Sequence, residues 1–193
     1  MEDLSALLED GQRIGAWLLE LGLILVLLFW MVGARNRLMR HRAAVNTAWL
    51  QIDELLQRRA ATLETLLAAV APSLQDEAAS LAALRQALEQ QGSAARAVRP
   101  KPTRAGRLQA WSAAELALVS PLLRLQALID QREALREDET VKPTRRALDE
   151  QAQKLAYARQ AFNAAADDYN TAVAEFPTRL LTRTFGFSRI QRL

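Results

Sequence analysis

The sequence predicts an all-α protein in which an N-terminal transmembrane helix is followed by an up-and-down antiparallel helical bundle of long helices. Three observations carry this expectation. Residues 14–34 form an apolar run whose one charge is Glu20, later apolar residues recur at heptad spacing, and clusters of proline and glycine fall where such helices would end. No segment alternates with the period of two that a half-buried strand requires.

The apolar run reads IGAWLLELGLILVLLFWMVGA. As a helix its 21 residues span about 31 Å, close to the ~30 Å hydrocarbon core of a bilayer. Trp17 and Trp30 lie near its two ends, where indole rings favour the headgroup boundary. A cleaved signal peptide would need a basic leader, whereas Glu2, Asp3, Glu9 and Asp10 precede the run with only Arg13 against them. A buried core helix would be apolar on one face, whereas residues 21–32 are apolar all round. Arg35, Arg37, Arg40 and Arg42 follow at once. Cations beside a span are retained in the cytoplasm, so the expected order is an extracytoplasmic tail at 1–13, a span at 14–34 and a cytoplasmic bundle at 35–193. Glu20 lies close enough to the start of the span to snorkel, or else pairs with a partner helix. Gly11 and Gly15 have helix-packing spacing but straddle the boundary.

Beyond the anchor, Val45, Trp49, Ile52, Leu56, Leu63, Leu66 and Val70 follow alternating steps of four and three, with Arg59 in the one gap. The seam resumes in a shifted register at Leu74, Leu81, Leu84 and Leu88, and Pro72 marks the shift. One long helix over 35–91, bent at Pro72, is the expectation. Gly92, Pro100, Pro102 and Gly106, with five cations and no acid, make 92–107 read as a flexible linker. Ser112 and Glu115 have capping-box spacing and predict the next helix start. Leu116, Val119, Leu122, Leu123, Leu125, Leu128 and Ile129 give that helix a broad apolar face, ending before Pro143.

A last helix over 144–176 carries Leu148, Leu155, Phe162, Tyr169 and Phe176 at intervals of seven, accompanied by the small edge Ala152, Ala166 and Val173. Pro177 stops it. The basic tail at 178–193, with Leu180, Leu181, Phe185 and Phe187 among arginines, reads as an amphipathic helix lying on the bundle or on anionic lipid.

The chemistry-bearing residues are sparse. With 0 cysteines and a single histidine, His41, thiolate and transition-metal sites have no ligand set. No phosphate-cradling glycine loop is present, and the acidic doublets Asp149-Glu150 and Asp167-Asp168 point apart on a helix. No catalytic residue, cofactor site or metal site is therefore expected. The net charge of +3 and pI of about 9.8 come from arginines interleaved with acids, the pattern of a solvated helix face rather than a nucleic-acid footprint.

Two motifs carry a family resemblance. The first is Val45-Asn46-Thr47-Ala48-Trp49-Leu50-Gln51-Ile52-Asp53 with Leu56 and Arg58-Arg59; the second is Ala156-Tyr157-Ala158-Arg159, Phe162-Asn163, Tyr169-Asn170-Thr171-Ala172-Val173 and Phe176-Pro177, ending in Phe185-Gly186-Phe187. Together they resemble the LemA family of bacterial membrane-anchored proteins. The run Ala60-Ala61-Thr62-Leu63-Glu64-Thr65 departs from the family's usual sequence and marks a divergent member. The resemblance implies an N-out anchor in the bacterial plasma membrane, an up-and-down antiparallel bundle, no established enzymatic activity, and partnership with envelope proteins such as TPM-domain proteins or membrane proteases.

By their periodicity, Trp49 and Tyr169 are packing residues on facing seams. Asn46 and Asp53, and likewise Asn163 and Asn170, lie seven apart on the flanks of those seams. They are the candidates for a contact surface or for inter-helix hydrogen bonds that fix register. Trp17, Trp30, Arg35, Arg37, Arg40 and Arg42 are the candidate membrane-interface residues. The function expected is a membrane-tethered scaffold or adaptor that binds membrane lipid through its anchor and holds a protein partner or further copies of itself. The alternative is a transmembrane signalling relay.

Overall fold

The protein, as a computed structural model, is described over residues 2–175 and 189–193, with side chains from Trp17 onward. The expectations for Phe176, Pro177 and 178–188, including Phe185 and Phe187, lie outside the described residues. Helix α1 runs unbroken over Glu2–Val70, followed by α2 at Ala78–Val98, α3 at Ala105–Asp130, the single turn α4 at Glu133–Arg136, and α5 at Val141–Ala174. No strand occurs among the described residues. The 69 residues of α1 extend over roughly 100 Å at 1.5 Å per residue. The anchor and the first bundle helix are thus one rod.

Ion pairs and hydrogen bonds fix the directions. Arg37, midway along α1, meets Glu175 just past the end of α5, and Gln151, in the first half of α5, donates to Thr62 near the end of α1, so the two helices are antiparallel. Arg107 donates to the Ala97 carbonyl while Arg124 reaches Glu77, which makes α2 and α3 an antiparallel hairpin. Asp53 holds Arg99, so α2 runs back along α1. The result is the expected up-and-down bundle, with α1, α2, α3 and α5 as its four long members.

The expectation of one bent helix over 35–91 is wrong. The chain leaves α1 at Val70, turns through two short 3-10 turns at Ala71–Ser73 and Gln75–Glu77, and reverses. Pro72 removes an amide donor and clashes with the preceding turn, and fully buried Leu74 closes the corner. Reversal lets Leu81, Leu84 and Leu88 bury against Leu63, Leu66, Leu67 and Val70. A straight continuation would have left them in water.

Three boundaries also differ. Gly92 does not end α2, because Ala95 and Val98 are buried and their packing outweighs the modest helix cost of glycine. The connection shortens to residues 99–104. Helix α3 begins at Ala105, not near Ser112, since Leu108 and Trp111, four residues and one residue before Ser112, are already buried; there is no capping box, and Glu115 points into the bundle. Helix α5 begins at Val141, with Pro143 in its first turn, where no amide donor is needed. Thr140 offers no side-chain cap, but Asp138 accepts from the Thr140 and Val141 amides. Ala152 is exposed rather than packed, and Ala158 and Ala172 take the small-residue role beside Ala166.

Candidate functional site

The apolar part of α1 is exposed all round: the large apolar side chains from Leu18 to Trp30, and Val32, are exposed, and an 18-residue window of the helix has mean hydropathy 2.2 with nothing buried. Trp17 and Trp30 sit on this exposed stretch. Helix α3 passes the same length and hydropathy test at 1.3, but it buries Leu108, Trp111, Leu118, Leu125, Leu128 and Ile129 within the bundle. Of the four arginines after the run, Arg35 and Arg40 are exposed, Arg37 is paired with Glu175 at 3.1 Å, and Arg42 is half-buried. Tyr169 is buried, which pushes its phenol above the ordinary value, and the charge of Arg42 acts in the opposite direction.

The bundle interior divides into two apolar clusters. One holds Leu38, Val45, Trp49, Ile52, Leu56, Trp111, Phe162 and Tyr169; the other holds Leu63 to Val70, Leu81, Leu84, Leu118, Leu125 and Val141. A polar layer separates them, contributed by every long helix. Arg59 of α1 donates two bonds to Glu115 of α3, at 2.7 and 2.9 Å, with both side chains nearly enclosed at 12% and 14% exposure. Gln91 of α2 donates to the same carboxylate at 3.1 Å, and Arg159 of α5 approaches it at 3.4 Å. The Gln151–Thr62 hydrogen bond, at 2.9 Å, completes the layer. Arg159 also lies over the Trp111 ring at 5.1 Å, and Trp111 meets Trp49 edge to face at 5.1 Å. The sequence showed half of this: Arg59 on an apolar seam demands a buried counter-charge. Glu115 was missed because its spacing from Ser112 imitated a cap.

The flank residues divide. Asp53 is buried and binds Arg99 at 2.7 Å and Gln57 at 2.9 Å, which ties the end of α2 to α1. Asn46 is half-buried, and its Oδ1 is enclosed without a hydrogen-bond partner. Asn163 and Asn170 bind neither α1 nor each other. Each closes a two-bond ring on the backbone of the end segment 189–193. Asn170 accepts from the Ile190 amide at 2.8 Å and donates to the Ile190 carbonyl at 2.8 Å; Asn163 does the same for Leu193, at 2.7 and 3.1 Å. Residues 189–193 are therefore not helical, contrary to expectation for this part of the tail; both amides are satisfied by side chains instead.

Carboxylates at the far end of the bundle are drawn below their ordinary range. Arg132 does this to Asp76 by hydrogen bonding, Ser80 and then Arg124 to Glu77, Lys142 to Glu137, and the Val141 and Thr140 amides to Asp138. Among the described residues no group of three metal-ligating side chains converges. A groove of about 530 Å³ between α1 and α5 is lined by Leu55, Tyr157 and Ala158 among polar residues.

This architecture defines an antiparallel four-helix bundle continuous with an apolar helix long enough to cross a membrane. The sequence profile of the LemA family matches residues 48–193, and the chain belongs to that family. A comparison with curated proteins finds no match.

Proposed function

We propose that the chain is a membrane-tethered, non-catalytic scaffold or adaptor, with its N-terminus outside and its bundle collecting protein partners or further copies at the cytoplasmic face. One observation carries the reading. Leu116, Val119 and Leu123, spaced i, i+3 and i+7 along α3, form an apolar stripe that is 73%, 48% and 58% exposed, while the opposite face of the same helix is packed. Such a stripe on a well-packed helix is the pattern of helix-in-groove recognition. The rigid continuity of α1 supports the tether, since it would hold this stripe at a fixed height above the membrane. Family membership favours envelope proteins, such as TPM-domain proteins or membrane proteases, as partners.

The test is a photo-crosslinking amino acid at Leu116 or Leu123 in native membranes. Protein adducts are expected, and they should disappear when the other position is changed to Glu, with thermal stability unaltered because both side chains are exposed. Adducts to lipid alone would end the proposal. The unbroken α1 also favours a relay reading, in which a change outside the membrane rotates or shifts the rod. Deleting residues 2–12 would then abolish a cellular phenotype without changing insertion or abundance.

A further inference from the structure

We propose that Asn163 and Asn170 form a backbone-reading peptide site on α5, and that it takes the 189–193 segment of a second copy as well as the chain's own. This deepens the self-association arm of the scaffold reading and does not depend on the α3 stripe. The site is built by a match of two repeats. Seven residues of helix rise about 10.5 Å and three residues of extended chain about 10 Å, so asparagines at i and i+7 face the backbone of residues j+3 and j of a segment running antiparallel to α5. Each carboxamide then accepts from the N–H and donates to the C=O of a single residue, as a neighbouring antiparallel strand would.

The backbone contacts are independent of sequence, and the side chains supply selectivity. Ile190 is buried in the apolar cluster with Tyr169, Val173 and Leu38, Leu193 packs against the same cluster, and Arg192 lies 3.7 Å from Asp167. The fitting ligand is therefore an extended Ile-x-Arg-Leu segment. Past Leu193 the groove continues as a cavity of about 380 Å³ bordered by Arg59, Glu115 and Arg159. A second copy is the occupant because its segment carries this sequence, so exchange preserves all four hydrogen bonds, the buried isoleucine and the ion pair. Replacing an intramolecular contact with its identical intermolecular one has little enthalpic cost.

The experiment mixes two full-length variants in detergent micelles. Asn163→Leu/Asn170→Leu has an intact segment and a silent groove; Ile190→Asp has an intact groove and a silent segment. Each alone should be monomeric, and the mixture should give a heterodimer by native mass spectrometry. An amidated Arg-Ile-Gln-Arg-Leu peptide should dissolve that heterodimer, and the same peptide N-methylated at Ile and at Leu should need at least tenfold higher concentration. Asn170→Asp should serve in place of Asn170→Leu as a near-isosteric check on folding. A mixture that stays monomeric overturns the proposal. So does a heterodimer indifferent to the peptide, which would place self-association elsewhere, and Leu116→Glu would then show whether the α3 stripe carries it.

Discussion

Glu115 is the residue on which the bundle's polar layer turns, since Arg59, Arg159 and Gln91 all converge on its carboxylate. Removing one partner of an enclosed ion pair leaves the other charge uncompensated, so Glu115→Ala should lower unfolding free energy by about 3 kcal/mol or more. Breaking the exposed Arg58–Glu54 pair, whose side chains are 65% and 63% exposed, should change little. Urea denaturation of both variants checks this, and a loss below about 1 kcal/mol for Glu115→Ala would show that water replaces the carboxylate. The layer also explains how four largely apolar helices choose one register: sliding any helix by a heptad would put a guanidinium, a carboxylate or, for α2, the Gln91 carboxamide into one of the apolar clusters. The Arg159–Trp111 contact has its own signature. A double-mutant cycle on the pair should return a coupling of about 1 kcal/mol, and additivity would remove the cation–π contribution.

At the scale of elements, α2 and the start of α5 give opposite lessons about local sequence. Gly92 sits inside α2, where an added Cβ would meet only the Arg96 guanidinium at 3.5 Å, an ordinary contact. Gly92→Ala should therefore stabilise the protein by about 0.5–1 kcal/mol, measured as a raised denaturation midpoint. The start of α5 depends on Asp138, whose carboxyl is depressed by the amides it accepts. A depressed folded-state value means that this contribution is present above the ordinary aspartate range and is lost as pH falls through the folded value. Asp76, Glu77 and Glu137 share the sign, so acid should loosen the turn at 71–77 and the α4–α5 junction together. The Thr140 and Val141 amide resonances should titrate with a midpoint below that of an ordinary aspartate, and Asp138→Asn should abolish the titration. A midpoint at or above the ordinary value would contradict the cap.

For the whole molecule, the exposed prediction is orientation, which follows from the arginines after the apolar run. The chain has no cysteine, so Lys101→Cys, at an exposed site in the α2–α3 connection, provides a single reporter thiol. A membrane-impermeant maleimide should label it in lysed cells and not in intact spheroplasts. Arg35 and Arg40 are the informative positions for reversal, because Arg37 is engaged by Glu175 and Arg42 is half-buried. Changing Arg35 and Arg40 to Gln should weaken the asymmetry, whereas labelling in intact spheroplasts of the parent would invert the topology.

The helical class, the apolar run and the α1 and α5 seams were legible in the sequence because each is a periodic, local property: Val45 to Val70 and Leu155 to Tyr169 are buried where their spacing placed them. So were the paired asparagines as polar flanks. What they touch was not legible, since the end segment reaches Asn163 across 30 residues of chain and Asn170 across 20, and no local pattern encodes such a partner. The reversal at Pro72 and the continuation of α2 through Gly92 were decided by tertiary structure for one reason. A proline or glycine states only a local cost of order 1–3 kcal/mol, and whether a helix breaks there depends on which apolar residues beyond it can be buried by turning or by going on.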